Sequence, residues 1–323
     1  MTGMLTRRLG QGIGVVFVLS LLAFAALYAV GDPASILLDP QSTPEDVARF
    51  RADMGLDQPI WRQYALFAWR LLHGDLGMSF VFRESTARII MERLPATLEL
   101  AASAMLIAVC AGVPLGVLAG ARAPSRFDSV AMTGSILGFS LPTFWVGLLL
   151  IVVFAVWLGW LPASGRGATV EVLGVGVSFL TLDGLRHLLL PAFNLSLFPM
   201  ALVFRLTRSG VKEAMGQDFV RYARAKGVRP ARLLFVHVLK RVALPVVTVS
   251  GLQLGNLIAF SVVTESVFAW PGTGKLAIDS INQLDRPVVV AYLMITALLF
   301  VVINLVVDLA YAALDPRARR GVG

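Results

Sequence analysis

Residues Pro271–Ala277 read PGTGKLA, a glycine-rich turn carrying a lysine, the kind of stretch that can cradle phosphate. The chemistry of a phosphate loop needs a glycine five residues before Gly274 and a Ser or Thr after the lysine. Ala269 and Leu276 stand in those places, so nucleotide binding is not expected there. A turn ahead of the last apolar segment, facing a delivery protein or the mouth of a pathway, is the better reading. Other reactive groups are sparse. His73, His187 and His237 lie far apart and show no metal-ligand spacing, and the single cysteine, Cys110, sits in an apolar run. No disulfide framework, metal site or catalytic set follows from these residues.

Two acids stand where acids are costly. Asp308 falls within the last apolar segment, with Asn304 four residues earlier on the same helix face. Ionisable groups inside a membrane segment are functional suspects. A tie to a neighbouring helix and a contact with solute are both open for this pair. Glu265 closes the fifth apolar segment. Either it meets a cationic group on a solute or it caps local backbone.

The elements that must position these residues are apolar helices. The 323 residues are 57% hydrophobic and 15% charged, with a mean hydropathy of +0.77. Soluble domains carry about 25% charged residues, so lipid is the expected solvent. A spanning helix needs about 20 apolar residues. Six segments qualify: Ile13–Val30, Leu98–Ala119, Ile136–Leu158, His187–Leu206, Leu244–Val267 and Val288–Tyr311. The first is longer than a signal-peptide core and lacks a small-x-small cleavage site, so it reads as a retained span. Gly112, Gly116 and Gly120 recur every fourth residue, a seam for close helix contact. Trp157, Trp160 and Trp270 read as interface anchors. The fold class is all-α and polytopic, as a single domain over residues 1–323.

Charge sets the orientation. With the N-terminus inside, seventeen of the 28 Lys and Arg residues fall on that side: Arg7 and Arg8, Arg122 and Arg126, ten between Arg205 and Arg241, and Arg317, Arg319 and Arg320. Only four acids accompany them (Asp128, Glu213, Asp218, Asp315), whereas the outer side is net acidic. Cytoplasmic loops carry the Lys/Arg excess, so N-in and C-in follows. Residues 32–95 are too polar to span and read as an external cap of short helices. Trp160–Leu185, rich in glycine, reads as an irregular external loop.

Residues 207–243 form the charged cytoplasmic loop. Val211–Gly227 is rich in helix formers, and Phe219, Tyr222, Ala223 and Lys226 recur at one-face spacing. Gly227 suits the position past a helix end, and Pro230 suits the first turn of a second helix. The loop therefore reads as helix, glycine turn, helix. Basic loops beside membranes often only attract anionic lipid. That role does not ask for Glu213, Asp218 or a rigid turn, whereas a protein docking site does. His237 in the second helix reads as a packing residue, and so does His187 at the head of its span.

At these residues the chain resembles the permease subunits of ABC importers, specifically the dipeptide/oligopeptide/nickel group. EAMGQDFVRYARAKGV (213–228) is similar to their EAA loop. The resemblance covers nearly the whole chain: Gly31-Asp32-Pro33-Ala34, GLDQPIWRQY from Gly55, GDLGMSF from Gly74, ERLPATLELA from Glu92, HLLLPAF from His187, RLTRSGVKEAM from Arg205, TESVFAWPGTGKLAIDSI from Thr264 and NLVVDLAYAALDPRAR from Asn304. Arg229 and Arg241 replace the Ser and Asn common in the group, and the Leu-Pro of the broader pattern comes late, at Leu244-Pro245.

The resemblance implies the transmembrane domain of a type I ABC importer, in the bacterial cytoplasmic (inner) membrane. Its partners would be a homologous second permease, two ABC ATPases and an external solute-binding protein, with no nucleic acid. ATP and Mg would be used by the ATPases, and this chain would bind no cofactor. Glu213, Asp218, Tyr222, Ala223, Lys226 and Gly227 would serve ATPase coupling. Glu265, Asn304 and Asp308 would belong to the pathway or gate. The solute would be a peptide or a similar small molecule. A stand-alone secondary transporter or channel is the main rival, and a membrane anchor without transport the second. Midplane charges and inverted repeats would mark the former, and of these only Asp308 is evident.

Overall fold

The computed structural model describes residues 2–29, 43–53 and 57–314. Gly31-Asp32-Pro33-Ala34, Gly55 and the basic tail from Asp315 onward lie outside the described residues. Helices are α1 (Thr2–Ala29), α2 (Pro44–Asp53), α3 (Ile60–Leu72), α4 (Thr86–Ala121), α5 (Arg126–Ser140), α7 (Leu182–Met215), α8 (Asp218–Ala225), α10 (Thr273–Asn282) and α11 (Arg286–Leu314). Two further helices, α6 (Thr143–Trp157) and α9 (Pro230–Val267), are each partly wound as π-helix, over Ile151–Trp157 and Leu233–Val238. Among the described residues five helices are long and apolar enough to cross a membrane, and α5 with α6 supplies a sixth if the pair is one span.

That pair corrects one expectation. Ile136–Leu158 is not a single helix: α5 and α6 meet at an angle of 105°. Leu141 between them is extended, with φ −79° and ψ 135°. It precedes Pro142, whose ring disfavours helical geometry in the residue before it. A second correction concerns Trp160–Leu185, which contains an antiparallel hairpin, β1 (Val170–Val172) on β2 (Val175–Val177), in register Val170 to Val177. Leu173 and Gly174 turn it, both at positive φ.

The chain divides into two compact units, residues Met1–Leu94 with Leu276–Val301, and Pro95–Lys275 with Val302–Gly323. In the first, Ala23 of α1 packs with Val290 and Met294 of α11 and with Phe67 and Leu71 of α3. Buried Asp285 accepts hydrogen bonds from the Ser79 hydroxyl, from Phe80 N at 3.1 Å and from Val81 N at 3.3 Å. That carboxylate fixes the loop at the end of the GDLGMSF stretch.

In the second unit the glycine seam of α4 lies against α7, as its spacing predicts. A Cβ on Gly116 would sit 2.7 Å from the Phe204 carbonyl, and one on Gly120 would sit 2.6 Å from the Arg208 carbonyl. Only glycine allows the two backbones that approach. Asp128 of α5 is held by Arg208 of α7 through a two-pronged ion pair, with Nη2 2.7 Å from Oδ2. Below it, Val211 and Ala214 of α7, Val220 of α8, and Leu233, Val238 and Val242 of α9 form one buried cluster with Val117.

Candidate functional site

The charged loop folds as two short helical limbs on that cluster. The expected helix Val211–Gly227 is interrupted: α7 stops at Met215, Gln217 is extended (φ −79°, ψ 155°), and α8 starts afresh at Asp218. Glycine at 216 weakens the helix there, and Asp218 favours a new start because an acid is stabilising in a first turn. The far end of α8 is closed as the sequence suggests. Gly227 adopts φ +73°. Its N–H donates to Arg224 O at 2.9 Å, and Val228 N donates to Ala223 O at 3.1 Å. This pair of bonds is a Schellman closure, which satisfies carbonyls that the helix end would otherwise leave free. Pro230 then opens α9, which runs without a break into the fifth span.

Burial divides the residues of α8. Val220, which periodicity alone does not single out, is fully buried. Phe219 and Ala223 are half-buried against the same cluster. Tyr222 points outward, 62% exposed, with the Lys226 ammonium 4.5 Å from its ring centre. The exposed face of α8 and its turn therefore includes Tyr222, Lys226 and Gly227, beside a shallow cleft lined by Val228, Arg229, Arg232 and His237. Glu213 is exposed on the last turn of α7. Asp218 lies 3.5 Å from Arg221, both almost fully in solvent, a pair that contributes little on its own. Arg241 donates to Gln217 at 2.7 Å and lies 4.1 Å from the Phe219 ring centre, so it braces the start of α8 from α9.

Glu265 lies elsewhere, at the end of α9, and is completely buried. It accepts from Thr97 Oγ1 at 2.8 Å, Ser261 Oγ at 2.9 Å and Lys275 N at 2.9 Å. Lys275 N belongs to the first turn of α10, where a carboxylate is favoured by the helix dipole and the free N–H groups. Of the two readings left open for Glu265, this geometry is that of a backbone cap. PGTGKLA is the start of that helix: a Cβ on Gly272 would fall on the Glu265 carboxylate. Asn304 and Asp308 are half-buried on α11, a different element from those that supply these donors to Glu265.

Trp270 is not an interface anchor. It is fully buried, and its indole N–H donates to Ala96 O at 2.9 Å. Trp157 and Trp160 are exposed. Arg166 lies over the Trp270 ring and pairs with Glu99 at 2.6 Å. The other oxygen of Glu99 accepts from Ser178 N, Ser178 Oγ and Phe179 N, at 2.7, 2.8 and 2.9 Å. That clasp, 67 and 79 residues apart in sequence, ties the hairpin to α4 and has no local signal. Among the described residues no group of three or more His, Cys, Asp or Glu is placed to hold a metal.

Residues 112–320 match the family described as binding-protein-dependent transport system inner membrane component, and residues 1–101 match its N-terminal model. The chain belongs to this family. The inner membrane component is 41% identical over 337 residues to the di/tripeptide transport system permease protein DppB of Pseudomonas aeruginosa strain UCBPP-PA14, covering 99% of each chain. It is 38% identical to the dipeptide transport system permease protein DppB of Escherichia coli K12, over 97% of each. Among solved structures it is similar to an inward-facing MetNI methionine ABC transporter, with a TM-score of 0.54 and 15% identity over 70% of this chain and 96% of the other. The last likeness carries the fold, that of a type I ABC importer transmembrane domain. Membership of this family bears out the resemblance to ABC importer permeases over the whole chain, the multi-pass inner-membrane location and the permease role. Nothing in these likenesses supports a stand-alone secondary transporter or channel.

Proposed function

We propose that this permease takes up peptides, with the elbow formed by α8, Gly227 and Pro230 as the seat of an ABC ATPase. Peptide as solute rests on the names of the relatives at 41% and 38% identity. The coupling role rests on one observation: an exposed, charge-bearing turn closed by Gly227 at φ +73° stands on a base buried through Val220. A turn built this way moves as a unit with α7 and α9. A homologous second permease completes the pathway, two ATPases bind ATP and Mg beneath it, and a loaded binding protein docks outside. Closure of the ATPases pushes the elbow and rocks the spans, and hydrolysis resets them. Glu213 and Asp218 supply anionic contacts at the rim. Asn304 and Asp308 belong to the pathway or to its helix contacts.

The test is Tyr222→Glu and Gly227→Asp in the assembled transporter, both on the exposed side of the elbow. Both variants insert, and both lose copurifying ATPase or peptide-stimulated ATP hydrolysis. Parent-level uptake in both sinks the docking assignment.

A further inference from the structure

Arg208 and Asp128 form the most enclosed ion pair on the elbow's side of the second unit: their side chains are 18% and 7% exposed. Arg208 lies on α7 three residues before Val211 and six before Ala214, the two residues that share a buried cluster with Val220 of the elbow. The α7 backbone is held at this same level, because Gly120 of α4 abuts the Arg208 carbonyl and Gly116 abuts Arg208 N. Asp128 sits in the first turn of α5, capped by Ser125, whose Oγ accepts from Asp128 N at 3.2 Å. A continuous contact path therefore runs from Val220 through Val211 and Ala214 to Arg208, and from there to α5. Close-packed interiors transmit displacement with little slack.

We propose that Asp128 and Arg208 are a positioning pair that makes α5 travel with the coupling elbow, staying closed through the transport cycle. The inference rests on the docking role of the elbow. Opening the pair would leave two charges largely out of water, so moving both helices together is the cheaper course. A guanidinium–carboxylate fork also fixes direction as well as distance. The bend of 105° between α5 and α6 gives α5 a joint about which to follow α7. Meanwhile Gly147 of α6 remains seated against Val267 and Phe268.

The experiment uses the complete importer in proteoliposomes, in a Cys110→Ser background because Cys110 is exposed. Asp128→Cys with Arg208→Cys lowers peptide uptake per ATP hydrolysed by about tenfold, the size of an ordinary coupling free energy, because α5 no longer follows α7. Bridging the two thiols with a short bis-methanethiosulfonate reagent, which forms one disulfide to each cysteine and releases methanesulfinate, restores it to within about twofold of the background. Arrest of uptake by the bridge would show that the pair must open, and would overturn the proposal. So would a background-like ratio in the unbridged variant. Asp128→Leu with Arg208→Met separates positioning from simple support: apolar replacement commonly restores stability, yet uptake per ATP stays low here, and a parent-like ratio overturns the proposal. ATPase copurification is retained in all of these variants because they lie off the docking turn. Failure of the elbow reading shows separately, as retained ATPase and uptake in Gly227→Asp.

Discussion

The Thr97 hydroxyl of α4 donates to the Glu265 carboxylate at the end of α9 across 2.8 Å. Thr97 also receives Thr273 N at 2.8 Å, so one hydroxyl links two helices and the first turn of a third. The shell of Glu265 consists of hydroxyls and a helix N-terminus. Such a shell satisfies both oxygens of the buried carboxyl, Oε1 through the Thr97 and Ser261 hydroxyls and Oε2 through Lys275 N.

Removing that carboxylate is predicted to destabilise the permease in a way that depends on Gly272. Glu265→Ala removes the acceptor of Lys275 N, at about 1–3 kcal/mol for a buried group left unpaired, whereas the Thr97 hydroxyl keeps the Thr273 hydroxyl at 3.0 Å. Gly272→Ala is damaging too, since its Cβ would land on the carboxylate. In the double variant the added methyl enters space that the carboxylate has left. Thermal unfolding in detergent should therefore show the double variant losing less than the sum of the singles, by about 1 kcal/mol.

Glu99 is predicted to matter more than Arg166 for the hairpin. Arg166→Met removes one partner of the carboxylate, but the three donors of Ser178 and Phe179 remain. Glu99→Leu removes all of them and leaves the guanidinium without its carboxylate; losing one side of a buried pair costs about 3–5 kcal/mol. Protease added from the outer face should cut between Val170 and Val177 several times faster in Glu99→Leu than in Arg166→Met. Equal rates would show that the ion pair, rather than the backbone donors, holds the hairpin.

Local chemistry makes some of this legible in the chain itself. Gly227, Pro230 and the Gly112–Gly116–Gly120 spacing each name a backbone requirement, and the structure meets all three. Hydropathy finds the spans because apolar length is a property of contiguous residues. It misses the bend at Leu141-Pro142, where the whole segment stays apolar and only the proline speaks. Trp270 is misread because a tryptophan near a span end has the same composition whether it faces lipid or the interior. Glu99–Arg166 and Asp128–Arg208 join residues 67 and 80 positions apart, which no periodicity encodes.

The glycine seam supplies an internal control. Gly116→Ala places a methyl 2.7 Å from Phe204 O and from Thr207 Cβ, so α4 and α7 must separate. The expected cost is about 1–3 kcal/mol, as for overpacking elsewhere. On α5, a methyl added at Gly134 would meet nothing within 4 Å. Gly134→Ala should be neutral or should stabilise by about 0.5–1 kcal/mol through helix propensity. The melting temperature should fall in Gly116→Ala and hold or rise in Gly134→Ala, and an unchanged melting temperature in Gly116→Ala would mean that the seam is not the tight point.

Gly227 separates strain from crowding. No heavy atom lies within 4 Å of a Cβ built there, yet its φ is +73°. A substitution is therefore opposed by backbone conformation alone, at about 1–2 kcal/mol for an ordinary residue. Asparagine tolerates this region best, alanine less, and a β-branched side chain least. Peptide-stimulated ATP hydrolysis should accordingly fall in the order Gly227→Asn, Gly227→Ala, Gly227→Val, with the asparagine variant nearest the parent. A ranking by side-chain volume instead, with alanine ahead of asparagine, would mean that the partner crowds the turn and that contact rather than backbone geometry sets the requirement for glycine.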